Sequence, residues 1–303
     1  MTPDPEAGIA ILRNVKLADH CRFRVGGPAD YFVEVKNLQE LRQAIGFARV
    51  KQLPVFVYGG GSNLFFDSAG FRGLVVRMGF KDLDIDLGKH QIKVGAGFDL
   101  PELVRELAAD NLGGVEFLGN IPGSVGGAVI GNAGCYGKSI SEVLVSVDLF
   151  DINTAQKVTV GPEQLGASYR QSVLKNDSSK IVLGAVLQLT TRPTKDILSE
   201  VEDELGERLV KHPHHAKCAG SFFKNPPERA AWQVIAEIGL ANAKVGGAMI
   251  SPKHSNFLIN AGGATSRDII ELTRLIQKTA LDKLNVVMEP EVRYVGPTGL
   301  MAI

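Results

Sequence analysis

The sequence predicts an α+β protein of two domains, and three observations support this prediction. Short strand-like runs and few helices follow one another without regular alternation, which is typical of α+β domains. The 303 residues suffice for two domains of ordinary size. Composition becomes charged and helical after Thr191. We therefore predict an N-terminal domain over residues 1–192, with its core at about 23–190, and a C-terminal domain over 193–303.

The N-terminal domain begins with a strand, helix, strand unit over residues 31–58. LQELRQAIGFARVKQ (38–52) has apolar residues near helical spacing, and PVFVY (54–58) is a short β-branched and aromatic run typical of a buried strand. A second helix is predicted over 100–112, ended by Gly113-Gly114 as a left-handed stop. Further strands are predicted over 73–78, 91–97, 145–150 and 180–190, the last with a bulge or close approach at Gly184.

The C-terminal domain is predicted to contain three helices, over residues 192–212, 230–240 and 265–285. The third is the most regular helix of the chain, because its apolar residues recur at spacings of three and four. Thr265 or Ser266 can cap its start, and Asp268 suits the positive end of its dipole.

Charge and cysteine content exclude several classes of function. The 33 basic and 33 acidic residues balance, so no basic surface predicts binding to nucleic acid or to an anionic membrane. No apolar run is long enough for a membrane span, and we expect no signal peptide, because the first twenty residues lack a cationic segment followed by an apolar run. Three cysteines without a paired pattern favour a reducing compartment, and we expect a cytoplasmic protein. His212, His214 and His215 have no further ligands at metal-binding spacing, so we expect no metal site.

Two glycine-rich stretches are the strongest signs of a ligand. GGGSNL (59–64) follows a strand, where its backbone N–H groups and its Ser and Asn side chains suit a pyrophosphate; a tight turn without a ligand is the alternative. GNIPGSVGGAVIGNAGCYG (119–137) is predicted to be a long loop pressed against a flat or charged group. No GxGxxG or GxxxxGK[ST] motif occurs in the chain. A nucleotide is therefore predicted, but neither a Rossmann site nor a P-loop.

Six motifs occur together in a fixed order: GGGSNL (59–64), IPGSVGGAVIGNAG (121–134), YRQS (169–172), AGSFFKNP (219–226), KHSNFLIN (253–260) and EPEV (289–292). In these residues the chain resembles the UDP-N-acetylenolpyruvoylglucosamine reductase family, from about Phe23 to Val295. The resemblance implies an FAD-binding domain of the vanillyl-alcohol-oxidase type, followed by a C-terminal α/β substrate-binding domain. It implies non-covalent FAD, NADPH as co-substrate, and reduction of the enolpyruvyl ether of UDP-N-acetylglucosamine to UDP-N-acetylmuramate for peptidoglycan.

The resemblance also assigns site residues by position in these motifs. Arg170 would stabilise the carboxylate or enolate, Ser221 would donate the proton, and Glu291 would position the reacting region or assist the proton supply. The substrate would be bound by Tyr169, Lys224 and Asn225. The FAD would be bound by Gly59, Gly60, Gly61, Ser62, Asn63, Leu64, Ile121, Pro122, Gly123, Ser124, Gly126, Gly127, Asn132, Ala133, Gly134 and Ile181.

The chain departs from longer members of the family at one place. It lacks the insertion that carries a tyrosine over the substrate diphosphate, and Tyr136 is one residue that could compensate. His254 and Asn256 are expected to serve packing or turns, and a monomer is expected. Two other functions stay open at this point: another FAD-linked oxidase of the same fold acting on a hydroxy acid or alcohol, and a non-enzymatic nucleotide-binding module.

Overall fold

A computed structural model of the chain describes residues 8–303 and confirms the α+β class. The helices are α1 (Leu38–Val50), α2 (Leu100–Ala109), α3 (Val125–Gly131), α4 (Thr194–Lys211), α5 (Ala231–Glu237) and α6 (Ser266–Leu284). The strands are β1 (Leu12–Lys16), β2 (Pro28–Val35), β3 (Val55–Tyr58), β4 (Leu64–Phe66), β5 (Phe71–Met78), β6 (Leu83–Asp86), β7 (Gln91–Gly95), β8 (Leu112–Gly113), β9 (Gly134–Cys135), β10 (Lys138–Ser139), β11 (Leu144–Asp151), β12 (Gln156–Val160), β13 (Lys180–Gln188), β14 (Thr190–Thr191), β15 (Lys244–Val245), β16 (Ala248–Ile250), β17 (Leu258–Asn260), β18 (Arg293–Gly296) and β19 (Gly299–Met301). Short 3₁₀ helices cover Leu17–His20, Glu116–Leu118, Ile140–Glu142, Pro162–Leu165 and Val173–Lys175.

The first sheet has the strand order β1-β2-β5-β3 and contains the predicted strand, helix, strand unit. Strands β2, β5 and β3 are parallel, as expected when a helix connects two strands of one sheet. Asn37 caps α1, because its Oδ1 accepts a hydrogen bond from the N–H of Glu40. The buried face of α1 packs against this sheet, so the sheet delivers the first glycine stretch at the end of β3.

The second sheet is antiparallel, with the order β12-β11-β13-β7-β6, and its core is covered by α2 and α3. The predicted irregularity at Gly184 is confirmed, because the pairing of β11 with β13 shifts register between Asp148 and Leu149, opposite Gly184 and Val182. A Cβ at Gly184 would lie 2.6 Å from the carbonyl oxygen of Val94. Only glycine allows β13 and β7 to approach this closely.

The predicted end of the second helix is wrong. Helix α2 ends at Ala109, and the left-handed residue that follows is Asn111, with φ of 58°. Residues Leu112–Gly113 instead form β8, which pairs with β14. Asparagine adopts the left-handed conformation more readily than most residues, so Asn111 ends the helix before the chain reaches Gly113 and Gly114.

The three C-terminal helices form where predicted. Thr265 caps α6 by accepting from the N–H of Asp268, and the Asp268 carboxylate accepts from the N–H of Thr265 in return. Helix α4 packs on the second sheet's core through Ile197 and Val201. Within the described residues, no helix combines the length and apolar character needed to cross a membrane.

The chain's two ends share one hydrophobic core. Strand β18 pairs in parallel with β4, and the stacked rings of Phe65 and Tyr294 have centroids 5.1 Å apart. The same core contains Phe222 and Phe223 and buried residues of α5 and α6. The boundary at residue 192 stays a prediction, but this shared core fixes the C-terminal segments beside the first glycine stretch.

Candidate active site

The two glycine stretches lie directly against each other. A Cβ at Gly59 would lie 2.0 Å from the Oγ of Ser124, and one at Gly60 would lie 3.2 Å from the Cα of Gly123. In the other direction, a Cβ at Gly123 would lie 2.9 Å from the Oγ of Ser62. Gly61 adopts φ of 62°, the left-handed region that favours glycine. The two stretches therefore meet through glycine backbone and the small hydroxyl side chains of Ser62 and Ser124.

Several backbone donors of this surface are unpaired. Within residues 8–303, the N–H groups of Gly60, Gly61, Ser62 and Asn63 donate no hydrogen bond, and neither does that of Gly123. Clustered N–H groups without partners form a concave site for an anion. These groups fit the pyrophosphate of FAD, because they supply several unpaired backbone donors in neighbouring residues.

The second glycine stretch is not wholly a loop, so that prediction is wrong in part. Residues Val125–Gly131 form α3, capped by Ser124, whose Oγ accepts from the N–H of Gly127. The N–H groups of Val125 and Gly126 bond to the carbonyls of Phe98 and Ala96. Tertiary packing thus imposes a helix on residues of poor helix propensity.

Asn132 ends α3 in the left-handed region, with φ of 43°. Its Nδ2 donates to the carbonyl of Ser168 at 2.9 Å, and its Oδ1 accepts from the N–H of Ser141 at 3.3 Å. The Oγ of Ser172 donates to the carbonyl of Ile130 at 2.7 Å. The end of α3 therefore anchors the segment that carries Arg170, a role that the sequence did not indicate for Asn132.

The remaining cofactor predictions fall into different environments. Ile121 and Pro122 are half-buried beside the stretch, Leu64 is buried in β4, and Gly134 pairs with Ser139 in the β9–β10 hairpin. Gly126 packs on Ala96, whereas Gly127 faces open space beyond the Ser124 hydroxyl. Ala133 is half-buried and packs with the core of the second sheet. Ile181 is buried in the cluster that contains α1, with its side chain packed among core residues. The assignment of these residues to FAD stays a prediction.

Asn63 connects the first glycine stretch to the EPEV motif. The N–H of Arg293 donates to the carbonyl of Asn63 at 3.0 Å, and Asn63 Nδ2 donates to the carbonyl of Glu291 at 3.3 Å. In turn, the N–H of Glu291 donates to the carbonyl of Phe222 at 2.8 Å. The glycine stretch, Glu291 and the AGSFFKNP segment thus form one connected structure.

Asn256 holds the AGSFFKNP segment in place. Its Oδ1 accepts from the N–H of Phe223 and its Nδ2 donates to the carbonyl of Phe223, both at 2.9 Å. Its backbone carbonyl accepts from the N–H of Phe222 at 2.7 Å. Asn256 is 3% exposed and both phenylalanines are buried, so the prediction of a packing role for Asn256 agrees with the geometry. Ser221 immediately precedes this anchored pair and is exposed.

Arg170 and Glu291 form an ion pair, with the Nε and Oε1 atoms 3.2 Å apart and side chains 26% and 17% exposed. The Nε–H is buried and makes no hydrogen bond within the described part of the chain, because its geometry toward the carboxylate is poor. Burial raises the pKa of Glu291, while the nearby cations of Arg170, Lys175 and Lys224 oppose that shift. The pair is therefore a partly buried carboxyl group and guanidinium, in which burial and the nearby cations act on the pKa of Glu291 in opposite directions.

Arg170 occupies a strained turn. Its φ is 57°, and Ser168 and Gln171 exchange both backbone hydrogen bonds across Tyr169 and Arg170, each at 3.1 Å. A positive φ at the second central residue is the pattern of a type II turn, a position that favours glycine. A non-glycine residue there costs about 1–2 kcal/mol. Strain of this kind is common at functional sites, where surrounding contacts maintain it.

Sequence reasoning missed two cations beside this pair. Lys175 is half-buried, and its Nζ donates to the carbonyl of Arg170 at 2.9 Å. Arg293 donates from Nη2 to the carbonyl of Lys175 at 2.9 Å. An isolated lysine or arginine has no local pattern that separates it from a solvated surface residue. Only the pairing of β4 with β18 and the tight turn at Arg170 bring these two cations together.

A cavity of about 410 Å³ opens next to the ion pair. Its lining includes all three residues predicted to bind substrate, together with Gln171 and Glu289. Lys224 forms an ion pair with Glu289, and the guanidinium carbon of Arg170 lies 5.6 Å from the centre of the exposed Tyr169 ring. Asn225 also has a structural role, because its Oδ1 accepts from the N–H of Ala231 at the start of α5.

Other residues considered from the sequence lie away from this cavity. The Tyr136 hydroxyl donates to the carbonyl of Glu204 on α4, and Tyr136 lines a different groove. Its compensation for the missing tyrosine stays a prediction. Cys218 is buried and burial raises the pKa of its thiol, which is consistent with a packing role. His212 stacks on Phe257 with centroids 5.1 Å apart, so it packs against the fold and is not a solvated loop residue.

Two family models match the chain in the order of its predicted domains. A model of an FAD binding domain matches residues 29–160, and a model described as "UDP-N-acetylenolpyruvoylglucosamine reductase, C-terminal domain" matches residues 212–295. Both matches include residues of the connected structure around the glycine stretches and EPEV. They confirm the prediction of an FAD-binding domain followed by a reductase domain.

Relatives similar to this chain cover nearly all of it. A UDP-N-acetylenolpyruvoylglucosamine reductase from Bacillus licheniformis is 37% identical over 94% of both chains. One from Prochlorococcus marinus is 37% identical over 95% of this chain and 99% of its own. The crystal structure of UDP-N-acetylenolpyruvylglucosamine reductase from Thermus caldophilus is 36% identical, covers 92% of this chain and 97% of its own, and has a TM-score of 0.78.

Proposed function

This chain belongs to the UDP-N-acetylenolpyruvoylglucosamine reductase family, and we propose that it reduces the enolpyruvyl ether of UDP-N-acetylglucosamine to UDP-N-acetylmuramate. The observation that supports this most directly is that one ion pair and one backbone hydrogen bond connect the segments of three predicted residues, whose sequence neighbours line the cavity. Arg170 pairs with Glu291, and Glu291 bonds to the segment that carries Ser221. An FAD-linked oxidase of hydroxy acids or a non-enzymatic binding module would need no such arrangement.

The residues of the site match the charges of this substrate. Its carboxylate and diphosphate are anionic, and the site contains the cations of Arg170, Lys175, Lys224 and Arg293 against Glu289 and Glu291. The Arg170 side chain is 26% exposed, and we propose that this exposed part of the guanidinium binds the substrate carboxylate. Lys224 and Asn225 line the cavity where a diphosphate would meet a positive charge and an amide.

The reaction adds a hydride to the methylene carbon of the enol ether and a proton to the neighbouring carbon. FAD, when bound at the glycine stretches, supplies the hydride, and we propose that NADPH is the source of the electrons. Negative charge then develops on the substrate carboxylate as an enolate, and Arg170 stabilises it because its guanidinium is fixed and partly desolvated. Such stabilisation is strongest for charge that exists only in the transition state.

Ser221 donates the proton in this proposal. It is exposed toward solvent in the structure and sits on a backbone fixed by the Asn256 contacts, so its hydroxyl can reach a bound substrate without rearrangement of the fold. Glu291 orients the reacting carboxylate and helps return a proton to the site; burial raises its pKa, and the neighbouring cations oppose that shift. We further propose a monomeric cytoplasmic enzyme with non-covalent FAD and without metal.

The proposal is tested by oxidation of NADPH with and without UDP-N-acetylglucosamine-enolpyruvate. We expect the sugar nucleotide to stimulate steady-state NADPH oxidation and UDP-N-acetylmuramate to appear in equal amount. The Ser221→Ala variant should consume one equivalent of NADPH at the normal rate, yet form product about 10²–10⁴ times more slowly. Ser199→Ala, on the exposed face of α4, is the matched control. If Ser221→Ala instead reacted slowly with NADPH but, once reduced, transferred the hydride to the sugar nucleotide at the normal rate, the assignment of the proton donor would be contradicted.

A further inference from the structure

The strained turn at Arg170 is maintained from one side by a lysine. The Nζ of Lys175 donates to the Arg170 carbonyl at 2.9 Å, and this bond fastens the residue whose φ of 57° favours glycine. Lys175 ends the 3₁₀ helix Val173–Lys175, so its own backbone is constrained. Its carbonyl is fixed by Arg293, the residue that follows EPEV.

Burying the Lys175 ammonium group costs free energy, which indicates that its hydrogen bond to the Arg170 carbonyl matters. Lys175 is half-buried, and its pKa is lowered first by burial and then by the neighbouring cation of Lys224. Glu291 and Glu289 offset part of that cost, while Arg293 adds to it. A hydrophobic residue would fill this space without an electrostatic penalty, but it could not donate to the Arg170 carbonyl.

We propose that Lys175 is a positioning residue for the reaction, which acts by holding the Arg170 turn so that the guanidinium faces the reacting carboxylate. This inference rests on the proposed function, because it assigns Arg170 to the developing enolate. Lys175 acts through the backbone of Arg170 and does not touch the substrate. The turn has three further fastenings: the Asn132–Ser168 bond, the Ser172–Ile130 bond and the ion pair of Arg170 with Glu291. Among residues 8–303, Lys175 is the one side chain that donates a hydrogen bond to the Arg170 carbonyl.

The test compares Lys175→Met with Lys283→Met. Lys283, on α6, makes the same kind of contact elsewhere in the fold. Its Nζ donates to the backbone carbonyl of Ile238 at 2.9 Å, in a partly buried position. We expect Lys175→Met to lower kcat for product formation by about 10-fold or more, because a small misplacement of a catalytic group is costly. The KM for the sugar nucleotide should change less than about 3-fold, because Tyr169, Lys224 and Asn225 remain. Lys283→Met should change neither.

A second measurement does not depend on activity. Hydrogen–deuterium exchange in a peptide spanning residues 166–174 should be at least about 10-fold faster in Lys175→Met, because the turn opens more often, and unchanged in Lys283→Met. If the wild-type protein fails to form UDP-N-acetylmuramate, the proposed function fails, while this exchange result still decides whether Lys175 fastens the turn. Unchanged exchange in Lys175→Met would overturn the inference.

A double-mutant cycle separates positioning from direct contact with substrate. In an Arg170→Gly background the guanidinium is absent and the turn no longer carries strain, so adding Lys175→Met should lower kcat by less than about 2-fold. A full 10-fold loss in that background, or a large rise in KM in the single variant, would show that Lys175 acts on the substrate itself and would overturn the positioning role.

Discussion

Replacing Asn256 with alanine should weaken both the fold and the active site. The substitution removes the two side-chain bonds to Phe223 and leaves the N–H and carbonyl of that residue without partners. Phe223 is 1% exposed, so water cannot replace the lost bonds without opening the core. Each unsatisfied buried group costs about 1–3 kcal/mol, so we expect the free energy of unfolding to fall by about 2–6 kcal/mol.

The assay is urea unfolding followed by the fluorescence of Trp232, the single tryptophan of the chain. The control is Asn153→Ala, because Asn153 is exposed and its side chain makes no hydrogen bond within the described residues. This control should change the free energy of unfolding by less than about 0.5 kcal/mol. A loss in Asn256→Ala as small as in the control would refute the reasoning, since it would mean that Phe223 finds other partners.

The same variant makes a kinetic prediction. Asn256 fixes the backbone between Ser221 and Lys224, so product formation should slow more than the reaction with NADPH. Equal slowing of both steps, in folded protein with normal FAD content, would show that Asn256 supports the whole molecule and not the AGSFFKNP segment in particular.

Three further substitutions test other features. Gly59→Ala should reduce FAD binding by about 10-fold or more and destabilise the fold, because its Cβ would lie 2.0 Å from Ser124 Oγ. The control Gly46→Ala, in the open middle of α1, should stabilise the fold by about 0.5–1 kcal/mol. FAD titration measures the affinity, and thermal unfolding measures the stability of each variant. Burial lowers the pKa of His212 from 6.5 to about 4, so its neutral form stabilises the fold above pH 6.5 and that stability is lost as pH falls toward 4. Because His212 is partly exposed and solvent screens its charge, the loss of stability should be about 1–2 kcal/mol. The difference in unfolding free energy between pH 7 and pH 4.5 should therefore be smaller by that amount in His212→Phe. Tyr58→Phe should raise the free energy of unfolding by about 1 kcal/mol in urea titration, because the buried Tyr58 hydroxyl has no hydrogen-bond partner within residues 8–303; a loss of stability would show that the hydroxyl is satisfied.

Local patterns predicted the regular elements well. Helix α6 follows from its apolar spacing and its Thr265–Asp268 capping box, and α1 from its periodicity before a buried strand. The close approach at Gly184 follows from a glycine inside a strand pattern. For the two helices, the interactions that form them join residues close together in the sequence. For Gly184, a glycine inside a strand itself indicates a close backbone approach.

Features that depend on distant contacts were not predictable from the sequence. Helix α3 forms from residues of low helix propensity because Phe98 and Ala96 accept its first N–H groups. The helix stop after α2 uses Asn111, since this residue adopts the left-handed region before the glycines are reached. Lys175 enters the site only because a turn 5 residues earlier brings the Arg170 carbonyl to it. The motifs predict which residues are catalytic, but they do not indicate Lys175 or Asn132, which hold the Arg170 segment.

Because β4 pairs with β18, the N-terminal half of the chain cannot complete its core while it is being synthesised. The Tyr294 hydroxyl bonds to Asp67 across a separation of 227 residues, and Phe65 stacks on the same ring. At about 5–20 residues per second, the ribosome needs roughly 10–45 s to supply that partner after β4 has emerged. During this interval Phe65 and Phe66 lie on an unpaired strand edge, which is prone to association with other chains. The yield of folded enzyme in a cell should therefore depend on chaperones that cover this aromatic strand until β18 has been synthesised.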